Sequence, residues 1–209
     1  MGLLVTFEGI EGSGKTTQVG LTKAFIEEQG YPCLVTQEPG GVPLGQEIRR
    51  LLLDKTDLRI DPLAELFLLE ANRAQHVAEV IRPALEKGVL ILCDRYTDAT
   101  VAYQGAGRGV EIALIAQMNQ AATGGLTPQM TILLDCPVAV GTGRAKGEDR
   151  FEREDTAFHE RVRKGYLQIA RQEPRRVQVL SGEGTQREIQ ERIRALILPL
   201  LSGGSRGPS

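Results

Sequence analysis

The stretch Gly9–Thr16, "GIEGSGKT", follows directly on the apolar run Leu3–Phe7, "LLVTF". It matches G-x-x-x-x-G-K-[ST] in full, with Gly9, Gly14, Lys15 and Thr16 in place, and lies between a predicted strand and a predicted helix. Glycines let the backbone fold tightly around phosphate oxygens, and successive N–H groups at a helix N-terminus form a nest for anions. In such a loop the lysine reaches the β- and γ-phosphates and the threonine hydroxyl ligates Mg²⁺. The pattern predicts a nucleoside triphosphate site formed by Gly9, Ile10, Glu11, Gly12, Ser13, Gly14, Lys15, Thr16 and Thr17. The plainer alternative is a glycine loop that only turns the chain.

On either side of this loop, short β-branched apolar runs alternate with longer amphipathic ones. Strands are expected at Leu3–Phe7, Pro32–Thr36, within "GVLILCDRY" up to Asp94, at Met130–Asp135 and in "RVQVL" (176–180). Helices are expected at Thr16–Glu28, Leu44–Leu53, Pro62–Glu86, Ile112–Ala122, Thr156–Gln172 and Thr185–Leu201. Strands apolar throughout are buried on both faces, and the helices between them make parallel crossovers. The expected fold is therefore α/β: a three-layer sandwich with a five-stranded parallel sheet and helices on both faces. One domain is expected over residues 1–201, followed by a small, polar, flexible tail, "SGGSRGPS", at 202–209.

At 209 residues the chain has room for one sizeable core. No run of about 18 apolar residues is present, so no membrane span is expected. The N-terminus lacks the basic segment of a signal peptide. Cys33, Cys93 and Cys136 are odd in number and set in apolar runs, which fits reduced thiols and a cytoplasmic location. A net charge of −2 argues against a general nucleic-acid binder. Of the 25 basic residues, 19 are arginine, which forks well onto phosphate but is also enriched by genome composition.

Ligands of open parallel sheets sit beyond the carboxyl ends of the strands. Glu8, Glu38, Asp94 and Asp135 close strands there, so they are the first candidates on that rim. A guanine-reading Asn-Lys-x-Asp element is absent, because neither Asn72 nor Asn119 is followed by lysine. What the middle of the chain offers instead is "TQEPGG" (36–41), "RRLLLD" (49–54), "NRAQHV" (72–77), "CDRYTDATVAYQGAGRG" (93–109) and "LLDCP" (133–137). "DRFERED…FHERVRKGYL" follows from Asp149.

In that order these motifs resemble thymidylate kinases of the bacterial type, over nearly the whole length short of the tail. The resemblance implies an enzyme that transfers the γ-phosphoryl group of ATP to dTMP, giving dTDP, with Mg²⁺ as cofactor. It implies a homodimer, and the apolar helix face around Leu66–Val80 would serve either that interface or the core. By the same resemblance Arg95 holds the acceptor phosphate, and Asp94 orients Mg²⁺ through water beside Thr16. Arg49 contacts the acceptor phosphate, although Arg50 is its immediate neighbour. Glu11 meets the sugar 3′-hydroxyl, and Tyr103 packs on the deoxyribose. Arg73, Thr100 and Gln104 pair with the thymine edge. Glu8 and Glu38 either join the acceptor side or organise the loops. At the position of the phenylalanine that usually stacks on thymine stands Leu69, followed by Glu70 where alanine is common. Phe67 is poorly phased to replace it.

Residues 143–155 match a lid over the ATP phosphates. With no arginine in the phosphate loop, the resemblance assigns the catalytic lid cation to Arg144 or Arg150, with Lys146 and Arg153 weaker candidates. The alternative is a solvated helix face, since acids interleave with the bases. No protein base is needed, because a phosphate monoester is largely dianionic near neutral pH. His76 and His159 are expected in surface or packing roles. Competing functional readings are a kinase for a different nucleotide or nucleoside acceptor and a nucleotide-binding module without catalysis.

Overall fold

The computed structural model describes residues 2–53, 58–145 and 149–203, with side chains through Leu201. Strands β1 (Leu3–Glu8), β2 (Cys33–Gln37), β3 (Leu90–Asp94), β4 (Met130–Asp135) and β5 (Val177–Ser181) form one sheet in the order β2-β3-β1-β4-β5. Every pairing is parallel, with Val5 opposite Leu92 on one side and Met130 on the other.

Alternate residues of the central strands face opposite layers, as the pleat requires. Val5, Phe7, Leu90, Leu92, Ile132 and Leu134 pack with Val19, Phe25 and Ile26 of α1 (Lys15–Glu28) and with Ile189, Ile193 and Ile197 of α9 (Gln186–Gly203). On the other face, Leu4, Ile91 and Cys93 meet Val77, Ile81 and Leu85. Leu133 there packs with Val138 of α7 (Val138–Arg144) and with Phe158 and Val162 of α8 (Thr156–Gln172). The three layers match the expectation. The edge strands do not, because Val35 on β2 and Val179 on β5 are exposed where all-apolar strands were expected to be covered.

Helix α2 (Pro43–Leu53) precedes α3 (Pro62–His76), which Asp61 caps by accepting from the Leu63 amide. The helix expected to run unbroken to Glu86 changes register, with a π segment at Val77–Ile81 before α4 (Arg82–Glu86). Pro83 has no amide hydrogen for a normal helical bond, and the Arg82 amide reaches back to Val77 instead. Two helical stretches had no clear signal in the sequence. One is α5 (Thr97–Thr100) continuing as a π segment over Val101–Gly107, and the other is α7. Helix α6 (Ile112–Thr123) follows the first of these. The closing helix also extends through Gly203, two residues into the expected tail; 204–209 lie outside the described residues. Among the described residues no helix is long and apolar enough to cross a membrane.

Helix α9 holds α1, and with it the phosphate loop, against the sheet. Ile193→Ala, at a fully buried position of that contact, is expected to cost about 2–5 kcal/mol in urea unfolding. A loss below about 1 kcal/mol would show that α9 is not part of the cooperative core.

Candidate active site

The loop between β1 and α1 takes its shape from glycines with positive φ, at 142° for Gly9, 66° for Gly12 and 95° for Gly14. A Cβ on Gly9 would lie 2.5 Å from the Leu134 carbonyl oxygen, and one on Gly12 would lie 2.1 Å from that of Gly141. Both positions therefore need glycine for space as well as conformation. The Ile10 side chain is core, so only its backbone faces the loop. Lys15 Nζ donates to the Gly9 and Ile10 carbonyls at 3.0 and 2.8 Å and lies 3.3 Å from Ser13 Oγ. Burial, with the Arg95 guanidinium nearby, brings the Lys15 ammonium down to about 8, against the opposing pull of Asp94, Glu11 and Glu8. Thr16 Oγ1 donates to Asp94 Oδ2 at 2.9 Å, bringing a hydroxyl and a carboxylate together at the loop's mouth.

Arg95 follows the end of β3 with φ at 70°, left-handed for a residue that is not glycine. Its amide donates to Phe7 O at 3.0 Å, and its guanidinium reaches Gly9 O at 3.0 Å, Tyr166 Oη at 3.2 Å and Glu11 Oε1 at 3.0 Å. The same guanidinium lies over the Tyr103 ring, 4.8 Å from its centre. Glu11 Oε1 also accepts from Tyr103 Oη at 2.6 Å. Burial works against the Glu11 carboxylate, but Arg95, His159, Lys15 and Tyr103 outweigh it and hold the group at about 2.

A cavity of about 230 Å³ runs from Lys15 and Thr16 past Asp94 and Arg95 to Leu69, Arg73, Thr100, Tyr103 and Gln104. Glu11, Gly12, Glu38 and Arg49 also line it. Of the two neighbouring arginines, Arg49 turns inward and donates to the Pro39 carbonyl at 2.9 Å, while Arg50 pairs with Glu47 at the surface. Arg73 is fully buried and meets five acceptors: Glu38 at 2.8 Å, Glu70 at 2.6 Å, Thr100 at 3.0 Å, Asn119 at 2.7 Å and the Tyr96 carbonyl at 3.0 Å. Glu70 thus serves as a partner of Arg73. Phe67 is exposed and does not line the cavity, whereas Phe151 does line it.

The candidate lid arginines are separated. Arg144 ends α7 beside the loop, its Cβ 3.2 Å from where a Gly12 Cβ would stand, and donates to Gly182 O at 3.4 Å. Arg150 is held away from the loop: it donates to Leu52 O at 3.0 Å and pairs with Glu65 of α3. Arg153 does not line the cavity, and Lys146 lies outside the described residues. The stretch Arg150–Asp155 is not a solvated helix face, since Phe151 is buried against Tyr103 with ring centres 5.6 Å apart. Asp135, one of the four rim carboxylates, is taken by Arg163 at 2.7 and 2.9 Å and does not line the cavity. Thr17 is exposed on α1.

Both histidines are buried, which removes the surface role. His76 packs between Thr36 at 2.6 Å and Glu38 at 2.9 Å. His159 Nδ1 lies 3.3 Å from Glu11 Oε2, an ion-pair contact without an aligned hydrogen bond, and that carboxylate raises its pKa. Tyr166 and His159 support the site from α8, and Glu65 supports it from α3. The nearest sequence signal for Tyr166 and His159 was the "FHERVRKGYL" motif, which gave no contact, and Glu65 had none.

A phosphate loop joined by one cavity to a basic and polar pocket defines a nucleotide phosphotransferase of the P-loop type. The thymidylate kinase family model matches residues 7–193. Thymidylate kinase of Geotalea daltonii is 48% identical over 97% of this chain and 100% of its own length. That of Citrifermentans bemidjiense is 52% identical over 90% of this chain and 88% of its own. The crystal structure of thymidylate kinase from Ehrlichia chaffeensis superposes with a TM-score of 0.78 at 32% identity, covering 94% of this chain and 98% of that one. The chain belongs to the thymidylate kinase family.

Glu8 provides a test of the site's electrostatics. It accepts from the Tyr96 amide and the Tyr166 hydroxyl, both at 2.7 Å, and burial, followed by the Asp98 carboxylate, raises it to about 8. Its folded pKa lies above its unfolded value of 4.5, so the folded state binds the extra proton between the two. Its contribution to stability is complete below the unfolded pKa and is lost as pH rises to the folded one. Glu8→Gln should remove that slope, up to about 1.4 kcal/mol per pH unit, from urea unfolding measured between pH 5 and 8. An unchanged slope would mean that Glu8 does not titrate there.

Proposed function

We propose that this kinase transfers the γ-phosphoryl group of ATP to dTMP, giving dTDP and ADP. The observation that carries this reading is the single cavity with Lys15 and Thr16 at one end, Arg73, Thr100 and Gln104 at the other, and Arg95 between them. Glycines of Gly9–Thr16 and the N-terminus of α1 receive the donor phosphates, with Lys15 on the β- and γ-phosphates. Lys15 now bonds backbone carbonyls, which phosphate oxygens would replace.

The acceptor phosphate is placed at Arg95 and Arg49, the deoxyribose against Tyr103 and Glu11, and the thymine edge at Arg73, Thr100 and Gln104. Glu38 holds Arg73, and Leu69 supplies an apolar wall beside the base. Charge neutralisation and alignment of two polyanions then do most of the chemistry. Arg144 is the lid cation best placed at the donor phosphates, because it stands beside Gly12. Arg150 anchors the lid segment to α3. The Thr16 hydroxyl and the Asp94 carboxylate, 2.9 Å apart, fit a Mg²⁺ ion held partly through water. That ion would neutralise phosphate charge.

We also infer a homodimer and a cytoplasmic location. Exposed Leu44 and Leu51 on α2 and Leu63 and Phe67 on α3 support the former, and three free thiols in a nucleotide enzyme support the latter.

The deciding assay presents a panel of nucleoside monophosphates with MgATP, and dTMP is expected to be the preferred acceptor. Lys15→Met and Arg95→Ala should each lower kcat by about two orders of magnitude or more, with unfolding midpoints near wild type. Turnover of another monophosphate in place of dTMP would overturn the acceptor, and wild-type rates in either variant would overturn the site.

A further inference from the structure

Glu65 is a fully buried carboxylate on α3 to which phosphoryl transfer gives no role. Its Oε1 accepts from Gln104 Nε2 at 2.7 Å and lies 3.4 Å from Arg108 Nε. Its Oε2 meets Arg150 and lies 3.5 Å from Arg108 Nη2. All its partners are N–H donors, as a carboxylate requires. An amide side chain is otherwise free to stand either way round, so the carboxylate decides which atom of Gln104 is committed. One hydrogen of the NH₂ is taken by Glu65, which fixes the nitrogen on that side, and no donor among the described residues meets the amide oxygen.

Thr100 is fixed in a complementary way. Its oxygen accepts from Arg73 Nη1 at 3.0 Å, which leaves the hydroxyl hydrogen to donate. Both residues line the cavity with Arg73. We propose that Glu65 is a specificity-positioning residue: by holding the Gln104 NH₂, it presents the amide oxygen to the base as an acceptor between donors. Such an edge complements a pyrimidine with a protonated N3 between two carbonyls. It opposes cytosine, which offers an unprotonated N3 beside an amino group. With Glu65 neutralised, the amide turns over at little cost and the edge tells the two bases apart less well.

This inference rests on the dTMP reading of the cavity. Glu65→Gln keeps the volume but lets either orientation of Gln104 find a partner. It is expected to lower kcat/KM for dTMP about tenfold or more, chiefly through KM, and to narrow the dTMP-to-dCMP preference by a similar factor. Because Glu65 also holds Arg150, the same substitution is made in a Gln104→Ala background, where it should leave the dTMP-to-dCMP ratio unchanged. An unaltered ratio in Glu65→Gln, or an equal narrowing with and without Gln104, overturns the proposal. If Glu65→Gln does not fold, Gln104→Ala alone must narrow the ratio, and a wild-type ratio there overturns it as well. A wild-type protein that ignores dTMP defeats the dTMP reading, whereas unchanged ratios in a dTMP-using enzyme defeat only the role of Glu65.

Discussion

The ion pair between Arg95 and Glu11 is the contact on which the site depends. It joins the end of β3 to the phosphate loop across the top of the sheet, at 3.0 Å. Arg95 reaches this position from a left-handed backbone, a conformation that costs on the order of 1 kcal/mol for such a residue. Its amide bond to Phe7 and its guanidinium bond to Gly9 hold it there. The result brings two cations to the mouth of the cavity, with Arg95 close enough to disfavour the charge on Lys15. Two cations held together in this way are suited to an anion between them. Two polyanions that repel each other in water could approach here.

Buried charge elsewhere is likewise paired. Arg73 lies in the interior because five acceptors surround it, two of them carboxylates. Removing one partner would leave an uncompensated buried group, which is costlier than the pair itself is favourable. Glu65 plays the reciprocal part, one carboxylate surrounded by two arginines and an amide. Each buried charge fixes the direction of a side chain that faces the cavity.

Much of this was legible in the chain. The Gly9–Thr16 motif and the apolar strand runs specified the sheet and the carboxyl-end rim, because both signals are local. Edge strands were misjudged since apolar composition does not reveal a strand's place in a sheet; Val35 and Val179 look like core and are exposed. The helix over Thr97–Gly107 was hidden by two glycines, Gly105 and Gly107, and its π segment depends on tertiary packing. Pairings across long sequence separations, such as Glu65 with Gln104 and Glu11 with His159, leave no local trace. The same is true of the separation of Arg144 from Arg150, two residues of one predicted lid whose partners lie in different parts of the fold.

The central claim is that both substrates occupy one cavity, phosphate to phosphate at Arg95. A crystal structure with a non-hydrolysable ATP analogue and dTMP tests it most directly. The account requires the donor phosphates in the Gly9–Thr16 loop, the acceptor phosphate within hydrogen-bonding distance of the Arg95 guanidinium, and the thymine beside Arg73. A monophosphate bound outside this cavity, or bound within it with its base toward Lys15, would contradict the account.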